Sequence, residues 1–214
     1  MKLQSGRFFV TGTDTGIGKT LVSALLCAAL DAFYWKPIQT GSREGTDRRT
    51  VMRLAQLPST RTVPEAYCFV PPVSPHLAAR RAGVRIALKK IRIPSLPPSE
   101  ALIVEGAGGA LVPINEKQLM IDLMRRLKLP VVVVSRTALG TINHTLLTLA
   151  ALRAARLKIR GVVLCGAPNT ENRKAIEHYG EIEVVGAVPL LENFNRQTLL
   201  RVFRKSFDRT AFRA

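Results

Sequence analysis

Two rhythms of hydrophobic residues alternate along the chain. Short β-branched or aliphatic runs at Arg7–Thr11, Ala32–Lys36, Ala101–Glu105, Val131–Ser135, Gly161–Leu164 and Val184–Val188 predict strands. Val131-Val132-Val133-Val134 shows no polar alternation, as expected of a strand covered on both faces. Between the runs, helical spacing predicts helices over Thr20–Leu30, Asp47–Gln56, Gln118–Leu127, Thr141–Arg153, Glu171–Tyr179 and Gln197–Phe207. Strands separated by helices of this length build right-handed βαβ units, so the expected fold is α/β, a mostly parallel sheet with helices on both faces. Ligands of such sheets gather beyond the carboxyl ends of the strands. The proline-containing stretches 64–75 and 94–98 read as loops or turns and neither marks a boundary, so one domain over residues 1–214 is expected.

Composition changes the picture in one respect. The chain carries 32 Lys+Arg against 15 Asp+Glu, a formal net charge of +17, which favours an anionic partner. The basic residues are scattered, without a run of five or six. One tryptophan and three tyrosines offer little for base stacking, which argues against nucleic acid as a specific partner. No apolar run approaches the roughly 20 residues that span a membrane, and Met1–Arg7 has no signal-peptide core. The three cysteines are widely spaced, without CxxC or an even framework, so a cytoplasmic location is expected.

The first strand ends in Thr11-Gly12-Thr13-Asp14-Thr15-Gly16-Ile17-Gly18-Lys19-Thr20 and a helix follows. Strand, glycine-rich loop and helix N-terminus form the context of a phosphate-binding P-loop, in which backbone N–H groups and the helix dipole face phosphate oxygens. Thr13 occupies the position of the usual first glycine. Lys19 is the candidate to span the β- and γ-phosphates, and the Thr20 hydroxyl the candidate Mg2+ ligand. Glu105 ends a strand before Gly106-Ala107-Gly108-Gly109, which suits a second oxygen ligand of Mg2+. Asp47 begins a helix after a glycine-rich loop and alone reads as an ordinary N-cap. Lys36, in Lys36-Pro37-Ile38-Gln39-Thr40-Gly41, is a candidate to stabilise developing negative charge, with the Thr40 hydroxyl beside it. His76, His144 and His178 stand alone, without the spacing of a zinc site.

In this order the segments Val10–Thr20, Lys36–Gly41, Ser74–His76 (Ser-Pro-His), Val104–Gly109 (VEGAGG), Leu139–His144 (LGTINH) and Val184–Pro189 (VVGAVP) resemble the dethiobiotin synthases. The resemblance covers roughly residues 7–193 and is more specific than a P-loop alone. It implies a P-loop NTPase fold with about seven strands and a homodimer. It also implies use of ATP and Mg2+ to close a ureido ring on 7,8-diaminononanoate with CO2. By the same resemblance Thr20, Asp47 and Glu105 are the Mg2+ ligands, and Lys19, Lys36 and Thr40 serve the carbamate and the transferring phosphoryl group. Thr15, Lys36, Thr40, Gly140, Thr141 and Asn143 would meet the substrate, the last three from the other subunit. The nucleotide would lie against residues 12–20, Glu105, Gly106 and Gly108. Pro189, Leu190 and Glu192 would border its base and ribose, and Cys165 stands where the family commonly has an asparagine reading adenine. The rival reading is a regulatory or partition-type P-loop ATPase whose basic surface binds nucleic acid or membrane; turnover independent of the diamine would mark it.

Overall fold

The structure, a computed structural model, describes residues 6–213; the first five residues of the Met1–Arg7 segment lie outside them. β1 (Arg7–Gly12) leads through the glycine-rich loop into α1 (Lys19–Leu30), then β2 (Phe33–Trp35) and the short β3 (Ile38–Gln39). α2 (Asp47–Ala55), β4 (Thr62–Val63), β5 (Tyr67–Cys68), α3 (Pro75–Arg81) and β6 (Leu102–Glu105) follow. Strands and helices then alternate regularly: α4 (Met120–Leu127), β7 (Val131–Arg136), α5 (Thr141–Ala154), β8 (Ile159–Cys165), α6 (Thr170–Gly180), β9 (Val184–Val188) and α7 (Arg196–Ser206).

Seven strands pair in the order β4-β2-β6-β1-β7-β8-β9, every neighbour parallel. Alternate residues of one strand feed opposite cores, which explains why the apolar runs lack polar interruption. Val10, Tyr34, Ile103, Val132 and Val134 join the core under α1, α2 and α7. Phe9, Trp35, Leu102, Val104, Val131 and Val133 face the other, with Met120 of α4 and Leu149 of α5. The chain leaves β1 for β2 on one side and later crosses from β6 to β7 on the other. That reversal opens a crevice beyond the carboxyl end of β1, where the phosphate loop begins.

Three short pieces were not legible in the pattern. Tyr67–Cys68, within the stretch read as a loop, pairs parallel with Ile38–Gln39 as a separate two-stranded sheet. β4 is a two-residue edge strand, and α3 begins at Pro75 after Ser74. The strands span two residues each and α3 only seven, below the windows in which a hydrophobic period can be counted, so tertiary contacts rather than local spacing decide them. Between residues 83 and 99 the chain makes only a short 3-10 turn at Leu88–Lys90.

Candidate functional site

The phosphate loop owes its shape to two glycines. Gly16 and Gly18 take φ of +69° and +103°, conformations that side chains rarely adopt. A Cβ on Gly18 would also meet Cys165 Sγ at 3.0 Å. Ile17 between them is buried and anchors the loop. Gly12 and Thr13 finish the strand rather than open the loop, since the Thr13 N–H donates to Val134 O at 3.0 Å. Asp14 Oδ1 accepts the Thr15 N–H at 2.7 Å, a carboxylate on an amide of the kind phosphate oxygens seek. Lys19 Nζ folds onto Asp14 O at 2.6 Å. Burial, and then the neighbouring Lys36, hold the Lys19 ammonium down to about 8, against the pull of Glu105 and Asp47.

Strand register sets the other charges around the loop. β2 and β6 align Trp35 with Val104, so Lys36 and Glu105 emerge side by side where the two strands end. β6 and β1 align Glu105 with Val10, two residues before the end of β1. α2 packs on α1 and brings Asp47 to Thr20. The Thr20 hydroxyl lies 2.9 Å from Glu105 Oε1 and 3.1 Å from Asp47 Oδ1. Lys36 Nζ bridges the same two side chains, reaching Glu105 Oε1 at 3.2 Å and pairing with Asp47 Oδ2. Burial opposes charge on Lys36, but Glu105 and Asp47 outweigh it and raise its pKa, so the ammonium is a fixed cation at neutral pH. The N-cap of α2 is Thr46, not Asp47: its side chain accepts the Arg49 N–H at 3.3 Å. Asp47 is thereby free to turn inward, while its own N–H donates to Gln39 Oε1.

Thr20, Asp47 and Glu105 thus place three hard oxygen donors together, the donor type that Mg2+ takes. Lys36 already rests on two of these side chains as a positive charge, which shows that the oxygens accept a cation. No group of three or more His, Cys, Asp or Glu gathers among the described residues, so the cluster combines two carboxylates with a hydroxyl. A cavity of about 700 Å³ opens over the cluster, bounded by Thr15, Gly16, Lys19, Lys36, Thr40 and Gly108.

Comparison with known proteins gives this geometry its setting. A family profile described as an AAA domain matches residues 6–198. The ATP-dependent dethiobiotin synthetase BioD of Paramagnetospirillum magneticum is 53% identical over 193 residues, 89% of this chain and 91% of the relative. The chain belongs to the dethiobiotin synthetase family. BioD of Brucella melitensis is 46% identical over 205 residues, 95% of each chain. A ParA family ATPase from Chlorobium tepidum matches 94% of this chain and 93% of its own, with a TM-score of 0.51 at 13% identity, a likeness of fold alone.

The other residues that the family resemblance singled out fall outside the cavity within one chain. Gly140 and Thr141 start α5, and the Thr141 side chain turns inward to Ser135 Oγ at 2.9 Å and to Arg136 O. The Thr141 N–H is spent on Ala138 O, which leaves exposed Asn143 as the side chain presented outward. Gly106 N–H donates to Val10 O, so this glycine serves strand closure. Cys165 lies behind Gly18 with its thiol pushed up by burial to about 12, and is therefore neutral. Pro189, Leu190 and Glu192 follow β9, the last two exposed. Sequence reasoning missed Tyr34, Gln39 and Arg136. Tyr34 and Gln39 are buried polar residues beside the Lys36 motif, and that adjacency was the signal available. Arg136 reaches Thr15 O at 3.4 Å and Asp14 Oδ2 at 3.7 Å from the end of β7.

Proposed function

We propose that this chain is an ATP-dependent cyclo-ligase of biotin biosynthesis, converting 7,8-diaminononanoate, CO2 and ATP into dethiobiotin, ADP and phosphate. The reading rests chiefly on one observation: both ammonium groups and all three oxygen donors border a single cavity beside the phosphate loop. One substrate amine adds CO2 to give a carbamate. The carbamate oxygen attacks the γ-phosphate of ATP, and the second amine then attacks the carbamoyl carbon, expelling phosphate and closing the ring. Each step builds or shifts negative charge, so fixed cations lower its barrier without a covalent enzyme intermediate.

Lys36 stabilises the carbamate oxygen and Lys19 the phosphoryl group, while the Thr15–Thr20 amides orient the phosphates. Thr40 offers its hydroxyl to the substrate. Thr20, Asp47 and Glu105 would hold Mg2+, which when bound neutralises phosphate charge. Homodimer formation is part of the proposal. It would cover Leu139, fully exposed before α5, and Leu147 on the helix, and bring Asn143 to a neighbouring site. A reducing cytoplasm suits the three free cysteines. Among the described residues no helix is long and apolar enough to cross a membrane.

Phosphate release followed with the purified protein is expected to require both the diamine and bicarbonate. Turnover that ignores the diamine would reject the ligase reading in favour of a switch ATPase. Base selectivity forms a second expected result. A neutral thiol at Cys165 cannot pair a strong donor with a strong acceptor, and sites that read a base by hydrogen bonds discriminate by roughly 10⁴-fold or more. ATP, GTP and CTP are therefore expected to support turnover within about tenfold of one another. A strong ATP preference would show that the base is read elsewhere.

A further inference from the structure

Tyr34 is fully buried on β2, its ring in the core beneath α1 and α2, yet its hydroxyl meets the most charged point of the molecule. It pairs in register with Ile103, and Glu105 stands two residues further along the same strand and hence on the same face. The hydroxyl donates to Glu105 Oε2 at 2.9 Å, whereas Thr20 and Lys36 both engage Oε1. The two carboxylate oxygens are thus divided: one is held from the core, the other is turned towards Thr20, Asp47 and the cavity. Glu105 is only 1% exposed, so Oε2 has no access to bulk water. Among the described residues Tyr34 is the donor the structure gives it.

Building on the Mg2+-dependent reading above, we propose that Tyr34 is a positioning residue that fixes the Glu105 carboxylate in the orientation competent for divalent cation binding. Without the hydroxyl, an anionic oxygen sealed in the core lacks a partner, which is costly. The carboxylate then turns to share the donors of Thr20 and Lys36, and the cation must compete with that arrangement. Groups that orient a metal ligand in this way typically govern affinity by about 10–100-fold.

Tyr34→Phe deletes the hydroxyl and keeps the ring. Calorimetry with a non-hydrolysable ATP analogue across Mg2+ concentrations reads the effect on binding, apart from turnover. The Mg2+ concentration for half-maximal enhancement of binding is expected to rise about tenfold, with metal-free nucleotide affinity within about twofold of the parent. The double variant Tyr34→Phe/Glu105→Gln should be no weaker towards Mg2+ than Glu105→Gln alone. A lowered melting temperature with an unmoved Mg2+ midpoint would reduce Tyr34 to packing and overturn the proposal. An unmoved midpoint in Glu105→Gln itself would instead overturn the metal reading beneath it. A measurement on the unsubstituted chain covers the case in which Tyr34→Phe does not fold. With only three tyrosines, fluorotyrosine labelling gives few resonances. That of Tyr34 should shift on Mg2+ titration with nucleotide present, and a stationary signal would again overturn the proposal.

Discussion

Replacing Lys36 with methionine is expected to cut kcat by two orders of magnitude or more, on the order of 3 kcal/mol of transition-state stabilisation. Lys36 is a buried ammonium clamped between Asp47 and Glu105, with a pKa raised by those carboxylates against the effect of burial. It therefore carries charge throughout the neutral range and acts as an electrostatic group rather than a base. Methionine keeps most of the side-chain volume but strands a carboxylate that is fully enclosed and another that is 29% exposed. Breaking a buried pair costs about 3–5 kcal/mol, and partial exposure of Asp47 should reduce that to about 2–3 kcal/mol of folding stability. Mg2+ offers an opposite charge to the same oxygens, so it should raise the melting temperature of Lys36→Met more than that of the parent. Rates at saturating substrates would separate lost chemistry from lost binding. Near-normal kcat in a folded Lys36→Met protein would remove Lys36 from the mechanism, and an equal Mg2+ response in both proteins would separate Lys36 from the cation site.

The central sheet and the phosphate loop were readable because both leave local marks in the chain. Uninterrupted β-branched runs such as Val131–Val134 favour strands covered on both faces, and Gly16 and Gly18 take positive φ that glycine adopts at no steric cost. Lys36 and Glu105 stood out because each ends an apolar run, although their separation of 69 positions hid that they touch. Parallel pairing through register makes the contact, and register between distant strands has no local signature. Asp47 was ambiguous for a different reason. A carboxylate at a helix start satisfies the requirements of a cap, and only the structure shows Thr46 in that role. Tyr34 was invisible because a tyrosine between Phe33 and Trp35 looks like core. Its function lies in one hydroxyl oxygen whose partner is 71 residues away. The α5 start illustrates the remaining limit: within one chain its residues border no part of the phosphate cavity, and spacing alone cannot assign them to a neighbouring subunit.

Lys19→Met should lose at least about 100-fold in turnover and yet give a protein more resistant to unfolding at pH 7. Lys19 is only 6% exposed, and burial holds its pKa at about 8 in the folded protein, against 10.5 for the ordinary side chain. A tenfold change in proton affinity corresponds to about 1.4 kcal/mol, so the charged form is disfavoured on folding by roughly 3 kcal/mol. The hydrogen bond to Asp14 O, worth about 1.5–3 kcal/mol for a charged donor, is lost in the variant and offsets much of this. A net gain of up to about 1.5 kcal/mol follows, at most a few degrees in melting temperature. Below pH 8 both states of the parent carry the proton and the penalty is complete. Between pH 8 and 10.5 the folded parent releases it while the unfolded chain retains it, so parental stability rises with pH and the advantage of methionine fades. Bound phosphates add negative charge beside Lys19 and hold the proton on it. In consequence kcat/KM for ATP should fall above about pH 8, reporting the free enzyme, while kcat should hold to higher pH. Urea titrations of the metal- and nucleotide-free proteins from pH 6 to about 10 would test the stability argument. A Lys19→Met protein no more stable than the parent at pH 7, or a difference that does not change with pH, would show that this lysine is not held at the phosphate site against a desolvation cost.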